Sequence, residues 1–127
     1  MSKESIFLLL AAVGLAPIAL SYGASPEASL SLLYDIDAGD VNSRHIFRAV
    51  MGLYLAQIVF WVCGARSDSL KLPALWSLTV FMLGLAAGRA LSLMIDGVPH
   101  PLLVVFLVLE IGFGVVGFMM IRGYRNQ

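Results

Sequence analysis

The sequence contains few charged residues. Of its 127 residues, 13% are charged and 60% are hydrophobic, whereas about 25% of the residues of an ordinary soluble domain are charged. The mean hydropathy is +0.91. A soluble domain this small leaves about a third of its unfolded surface exposed, and this chain has too few polar residues to cover that much surface. The composition therefore predicts an integral membrane protein.

The chain also has no net charge and only one cysteine. Eight basic and eight acidic residues cancel, so the chain has no basic surface for nucleic acid. The single cysteine, Cys63, excludes an intrachain disulfide framework and a thiolate metal site. The sequence also contains no phosphate loop, dinucleotide fingerprint or haem-attachment motif, and no context that would assemble a nucleophilic triad. We therefore expect no enzymatic activity, no cofactor and no bound metal.

Four apolar segments are long enough to cross a hydrocarbon core of about 30 Å. The first follows Lys3 and ends near Ser21 and Gly23, small residues of the kind that precede a signal-peptidase site. We interpret this segment as the first transmembrane helix, with cleavage as the alternative. Pro73 and Pro101 stand where proline is tolerated, at the starts of the third and fourth spans. The expected spans are 5–22, 44–65, 73–95 and 101–121, with a polar loop at 66–72 and a tight turn at 96–100.

The connection between the first two spans, residues 23–43, is the only long polar segment. Ser25 followed by Pro26 is typical of a helix start. The apolar residues that follow share one helical face, which predicts a short helix at the membrane surface; they are Leu30, Leu33 and Tyr34. Three aspartates come next without the ligand spacing of a calcium loop, so we expect a solvated acidic loop facing the start of the second span; they are Asp35, Asp37 and Asp40.

These features predict an all-α fold, an integral membrane four-helix bundle that forms a single transmembrane domain over residues 1–127. A short interfacial helix lies in its first outer loop. The connections 23–43 and 96–100 contain acidic residues and no lysine or arginine. The basic residues of the opposite side are Lys3, Arg66, Lys71, Arg122 and Arg125. The positive-inside rule therefore places both termini in the cytoplasm.

Three charged residues lie inside the expected spans, away from their ends: Arg48, Arg89 and Glu110. Each costs at least about 2.5 kcal/mol at the bilayer centre unless it has a partner or water. At about 1.5 Å per helical residue, they lie about 6, 9 and 13 Å below the outer surface. Because arginine side chains are long enough to close these differences, we expect one Arg48–Glu110–Arg89 cluster inside the bundle.

Small residues accompany each of these charges and favour close helix contacts. We therefore expect three helical faces to point into the bundle. These faces are Arg44, Arg48, Gly52 and Ala56; Gly84, Gly88 and Ser92 beside Arg89; and Glu110, Gly114, Gly117 and Ile121. A further face, with Tyr54, Gln57 and Trp61, is expected to contact a neighbouring helix or to line a cavity.

The charged cluster has three interpretations. It can be a structural network that fixes helix register. It can bind an anionic head group, such as a lipid phosphate or carboxylate, because the arginines outnumber the glutamate. It can also carry a proton or cation through Glu110, although neighbouring arginines stabilise the carboxylate and disfavour that role.

Three phrases carry a resemblance to a known family. They are Arg48-Ala-Val-Met-Gly-Leu-Tyr54-Leu, Gly88-Arg89-Ala-Leu-Ser92-Leu-Met-Ile-Asp96-Gly97-Val-Pro99 and Glu110-Ile-Gly112, preceded by Tyr22-Gly23 and Pro26. In this order they resemble a family of small bacterial membrane proteins catalogued as domain of unknown function 4345. More distantly, the layout is similar to DoxX-like four-helix proteins. The resemblance implies a four-helix protein of the bacterial inner membrane and no particular activity. The positions that it marks as characteristic are Arg48, Gly52, Tyr54, Arg89, Ser92, Asp96, Gly97 and Glu110.

We therefore expect a non-catalytic membrane protein that binds an anionic or amphipathic, lipid-like molecule in a polar pocket of its outer half. The expected ligand-binding residues are Arg48, Arg89, Glu110, Tyr54, Ser92 and Asp96. An alternative is an accessory subunit of a membrane complex or a homo-oligomer, associated through the Gly84–Gly88 stripe. A third, less favoured alternative is a proton-coupled small-molecule transporter.

Overall fold

The computed structural model describes all of residues 1–127 and consists of helices alone. The helices are α1 (Lys3–Gly23), α2 (Pro26–Tyr34), α3 (Val41–Arg66), α4 (Asp68–Ile95) and α5 (Pro101–Arg125). All except α2 are long and apolar enough to cross a membrane. The predicted all-α, four-helix membrane fold is therefore confirmed, and the chain is a multi-pass membrane protein.

The four long helices form a bundle in the order α1, α3, α4, α5, and the bundle is least tightly closed between α5 and α1. Helix α1 packs along α3, α3 against α4, and α4 against α5, whereas α1 and α5 touch at few positions. The interior is mostly apolar, and its fully buried side chains include Leu8, Trp61, Leu75 and Leu78. We call the line between α1 and α5 the seam. The α2 end of the bundle is the end that carries α2 and the turn 96–100, and the opposite end is the terminal end.

Helix α2 covers the α2 end of the bundle. Leu30 and Tyr34 are buried against the long helices, whereas Leu33 is exposed. The helix was predicted at this place, but only two of the three apolar residues share the buried side. Ser25 occupies the N-cap position without a side-chain hydrogen bond, and Asp35 ends the helix with a φ of 58°. Aspartate is among the few residues that adopt this left-handed conformation readily.

In the acidic segment after α2, side chains form hydrogen bonds with the backbone nearby. Asp40 caps α3, because its Oδ2 accepts a hydrogen bond from the Ser43 N–H at 3.0 Å. Hydrogen bonding from Ser43, first from its side chain and then from its backbone N–H, lowers the pKa of the Asp40 carboxyl. Asp37 Oδ1 accepts from the Gly39 N–H at 3.2 Å, and Arg44 Nε donates to the Asp40 carbonyl at 3.4 Å. The aspartates thus act mainly as turn and cap residues.

Helices α3 and α4 are joined by Ser67 alone. The predicted polar loop at 66–72 is wrong, and so is the prediction that Pro73 opens the third span, because α4 begins at Asp68 and contains Pro73. Proline lacks the N–H that would bond to the carbonyl of Ser69, four residues earlier. That carbonyl lies in the exposed first turn of the helix, where water satisfies it at little cost.

The turn between α4 and α5 agrees with the predicted tight turn at 96–100. Gly97 has a φ of 100°, a conformation that glycine adopts without steric cost. His100 caps α5, because its Nδ1 accepts a hydrogen bond from the Leu102 N–H at 3.1 Å. Pro101 takes the first helical position, where its missing N–H has no intrahelical partner to lose.

The predicted inward face of α5 is confirmed. Its four members, each about one helical turn from the next, are all buried: Glu110, Gly114, Gly117 and Ile121. A Cβ atom at Gly114 would collide with the Leu83 side chain, and one at Gly117 with the Thr79 hydroxyl. The two glycines therefore let α5 approach α4 closely beside the buried glutamate.

The predicted inward face of α3 is wrong. Arg48, Gly52 and Ala56 are exposed, and a Cβ atom at Gly52 would meet no atom within 4 Å. Tyr54 and Trp61 occupy the core side of the helix instead. Their rings fill the core through contacts with Tyr22 and Phe81, whereas the small residues face the surroundings of the bundle.

Candidate functional site

A charge pair lies between α4 and α5 in the half of the bundle nearer α2. Arg89 Nε donates to Glu110 Oε1 at 2.8 Å. Arg89 Nη2 donates to the Tyr22 hydroxyl on α1 at 3.3 Å, and the guanidinium carbon lies 5.7 Å from the centre of the Phe106 ring. The predicted proximity of Arg89 and Glu110 is thus present, and three helices contribute to it.

Burial explains why the two charges pair. The side chain of Glu110 is 10% exposed and that of Arg89 is 21% exposed. A carboxylate or guanidinium at this depth in hydrocarbon is costly when unpaired, and the direct bond between them offsets part of that cost. The remaining N–H groups of Arg89, including both on Nη1, have no partner in the chain. Arg89 therefore has N–H groups that are free to donate hydrogen bonds to another molecule.

Arg48 does not join this pair, so the three-charge cluster predicted from the sequence is wrong. Its side chain is exposed, and its Nη1 donates to the carbonyl of Gly23 at 2.9 Å. Gly23 is the last residue of α1, and the final carbonyls of a helix lack intrahelical donors and carry partial negative charge. The α1 and α3 backbones nearly touch here, since a Cβ atom on Gly23 would lie 3.1 Å from the Cα of Arg48. This carbonyl is therefore the acceptor nearest to Arg48.

Tyr54 lies beside the pair in an aromatic cluster. Its ring packs edge-on against Tyr22 and Phe81, with centroids 5.6 and 5.1 Å apart. Trp61 continues the row through Phe81, and Tyr34 of α2 joins it through Tyr22. Tyr54 was expected to contact a neighbouring helix or to line a cavity, and it does both, because it also lines a small cavity with Glu110.

Ser92 and Asp96 lie at the rim, toward the α2 end. Ser92 Oγ donates to Asp96 Oδ2 at 2.7 Å, and both residues are exposed. Ser92 lines the same groove as Arg89, whereas Asp96 does not. Of the six predicted site residues, the structure joins Arg89, Glu110 and Tyr54, places Ser92 next to them, and leaves Arg48 and Asp96 outside.

A groove of about 370 Å³ lies between α4 and α5 on one side of the pair. A Cβ atom at Gly84 or Gly88 would meet no atom within 4 Å. The prediction that this stripe points into the bundle is therefore wrong. The two glycines instead form the floor of the groove, which is open to the surroundings of the bundle. Besides the glycines, its lining includes Arg89, Ser92, Leu85, Leu103 and Leu107.

Comparison with known proteins identifies the family. A family model described as Domain of unknown function (DUF4345) matches residues 4–121. The chain belongs to this family. No curated protein and no solved structure matches it. The DUF4345 match confirms the family predicted from the three phrases and covers both members of the charge pair.

In this DUF4345 chain, two residues of the site were missed by sequence reasoning. Phe106, under the guanidinium, precedes Glu110 by four residues, so helical spacing places it on the same face. Tyr22 bonds to Arg89 from the end of α1, and no spacing rule connects two residues that far apart. Tyr34 supports Tyr22 from α2 and hydrogen-bonds to Ser21. Burial raises the pKa of the Tyr34 phenol, which keeps it neutral.

Proposed function

We propose that this protein binds an amphipathic membrane molecule with a negatively charged group, and that the charged group sits at Arg89 in the groove between α4 and α5. The observation that carries the proposal is the position of the guanidinium. Arg89 is anchored on one side by Glu110 and Tyr22, and on the other side it lines a groove of about 370 Å³. Its unused donors match phosphate and carboxylate oxygens.

The charge distribution supports an anionic ligand. Arg89 lines the groove and Glu110 does not, so the groove lies at the positive end of the ion pair. Arg48 adds a positive charge in the same half of the bundle and takes part in no salt bridge. The proposed roles are that Arg89 contacts the anion, that Glu110 orients Arg89, and that Arg48 adds to the local positive potential.

The walls of the groove suit hydrocarbon chains. Leu85, Leu103 and Leu107 line it, and the two glycines leave its floor free of side chains. The Ser92 hydroxyl lies toward the rim, with Asp96 accepting its hydrogen bond. A lipid-like molecule would thus place its polar part near Arg89 and Ser92 and its chains against the leucines. The proposed function is binding, without catalysis.

The charge asymmetry of the two ends supports an orientation, which is also a proposal. The connections at the α2 end, 23–43 and 96–100, contain acidic residues and no lysine or arginine, whereas five of the eight basic residues lie at the terminal end. By the positive-inside rule, both termini face the cytoplasm, and the groove opens in the outer leaflet. We propose the bacterial inner membrane as the location.

Filling the groove tests the function. In native mass spectrometry, the wild type is expected to retain phosphatidylglycerol, the anionic probe, in preference to phosphatidylcholine. Gly88→Leu should lower the retention of phosphatidylglycerol about tenfold or more, because its side chain occupies the floor and separates the anion from Arg89. The open space around Gly88 lets the variant fold.

The matched control is Gly52→Leu. Gly52 is also exposed, with no atom within 4 Å of its Cβ position, but it lies on α3, away from the groove. This variant should retain phosphatidylglycerol like the wild type. Equal retention by folded Gly88→Leu and wild type would contradict the proposed function.

A second candidate function is association with another membrane protein or a second copy of the chain. The observation that favours it is the unpacked stripe of Gly84 and Gly88, since exposed small residues let membrane helices pack closely. If it is correct, the wild type gives a dimeric mass, or copurifies with a partner, after gentle detergent extraction, and Gly88→Leu gives a monomer. A strictly monomeric wild type without a copurifying protein would exclude it.

A further inference from the structure

A second cavity lies between α1 and α5, reaches Tyr54 of α3 and Met82 of α4, and has a mostly apolar lining. It measures about 60 Å³, and Tyr54 and Glu110 are its polar side chains. Tyr54 is 4% exposed and Glu110 is 7% exposed. The Tyr54 hydroxyl makes no hydrogen bond within the chain, and Glu110 uses only Oε1, toward Arg89.

Two unpartnered polar groups at one cavity point to a ligand. Neither oxygen is among the fully buried unpartnered oxygens of the chain, so both remain accessible to a bound group. A polar group that faces an apolar cavity without a hydrogen-bond partner is unfavourable. The phenol of Tyr54 both donates and accepts, and the free oxygen of Glu110 accepts. The bound group must therefore donate a hydrogen bond to the carboxylate and be able to accept one from the phenol.

The cavity reaches the surface at the seam. Gly14 of α1 lines the cavity, is exposed, and has no atom within 4 Å of its Cβ position. Leu109 and Phe113 of α5 line both this cavity and an apolar groove of about 320 Å³ that continues along the seam. The other residues of that groove are Phe7, Leu10, Val108, Gly112 and Val116. A hydrocarbon chain in the groove can therefore place its end group in the cavity.

The charge at the cavity selects an uncharged end group. Arg89 already balances Glu110, so an ammonium group would add an uncompensated positive charge. A carboxylate or phosphate would face the Glu110 carboxylate, and either charge is costly at this depth in hydrocarbon. A cavity of about 60 Å³ also admits only a few non-hydrogen atoms. A hydroxyl group meets all of these conditions, since it is neutral, small, and both donor and acceptor.

We propose that the seam between α1 and α5 is a binding site for a long-chain alcohol, with its hydroxyl between Tyr54 and Glu110 and its chain in the apolar groove. The hydroxyl donates to the free oxygen of Glu110 and accepts from the Tyr54 phenol. The chain lies against Leu109, Phe113 and Leu10 on its way toward the terminal end. This site is separate from the Arg89 groove and does not rest on the proposed anion binding.

Photolabelling in proteoliposomes tests this site. Palmityl alcohol carrying a diazirine and an alkyne is expected to label the α5 peptide around Leu109 and Phe113 saturably. Gly14→Leu should abolish most of this labelling, because its side chain covers the mouth of the cavity without meeting another atom of the chain. Tyr54→Phe should weaken it about three- to tenfold through loss of one hydrogen bond.

The controls separate the hydroxyl contact from simple partition into lipid. Gly52→Leu and Tyr124→Phe carry the same changes at positions that line neither the cavity nor the apolar groove, and both variants should label like the wild type. Diazirine palmitic acid, which bears a charged end group, should label the α5 peptide weakly. The proposal would be overturned by equal labelling with acid and alcohol, or by undiminished labelling of folded Gly14→Leu. It would also be overturned if the wild type showed no saturable labelling, which would mean that the cavity holds water only. Phosphatidylglycerol retention at the Arg89 groove is measured independently and stays unchanged in Gly14→Leu.

Discussion

Replacing Arg89 with methionine is expected to lower the free energy of unfolding by about 3–5 kcal/mol, the largest effect of any single substitution considered. The change leaves the Glu110 carboxylate, on a side chain that is 10% exposed, without its cation. Breaking a buried pair by removing one partner costs more than the pair contributes, because the surviving charge remains in an apolar environment. Unfolding by sodium dodecyl sulfate in mixed micelles measures the difference.

The double variant Arg89→Met/Glu110→Leu distinguishes the lost charge balance from lost packing. It removes both charges and keeps apolar side chains in their place, so most of the stability should return. Arg66→Met, at the exposed end of α3, is the control for removal of an arginine and should change stability by less than about 0.5 kcal/mol. If the double variant is as unstable as the single one, the pair does not balance a buried charge as described.

Gly117→Leu is expected to have the second-largest effect, a loss of about 1–3 kcal/mol. A Cβ atom at this position collides with the Thr79 hydroxyl and also contacts Leu78, so a leucine forces α5 away from α4. The displaced helix also carries Glu110 away from Arg89, because the contact lies only two helical turns from the glutamate. Thermal unfolding followed by circular dichroism measures the loss.

Gly112→Leu provides a matched control on the same helix. No atom lies within 4 Å of a Cβ atom at Gly112, and replacing a mid-helix glycine relieves a cost of about 0.5–1 kcal/mol. This variant should be as stable as the wild type or slightly more stable. Comparable destabilisation by Gly112→Leu and Gly117→Leu would mean that the close α4–α5 contact is not the cause.

The sequence predicts the long helices well because the bilayer requires a continuous apolar length from each. It also places Glu110 correctly, since Gly114, Gly117 and Ile121 mark a single inward face with helical spacing. Pro73 misled the prediction because its position in the chain does not show that the preceding turn is exposed and tolerates a missing N–H.

The rotation of α3 about its axis could not be predicted from its small residues. A stripe such as Arg48, Gly52 and Ala56 favours close packing but does not specify the surface against which it packs. In the fold, Tyr54 and Trp61 decide the rotation, and Arg48 then bonds to the nearest carbonyl of α1. The partners of a buried charge depend on how helices distant in sequence meet, and a single sequence does not contain that information.

The one-residue link at Ser67 has a mechanical consequence. A single extended residue spans about 3.3–3.6 Å, so α3 and α4 cannot separate where Arg66 and Asp68 meet. Any change in the angle between α3 and α4 must therefore pivot at Ser67. Arg89 lies about 33 Å along α4 from the pivot, so a small rotation there becomes a large displacement at the groove. The link therefore fixes the distance between α3 and α4 at the terminal end, whereas at the α2 end that distance depends on how the helices pack.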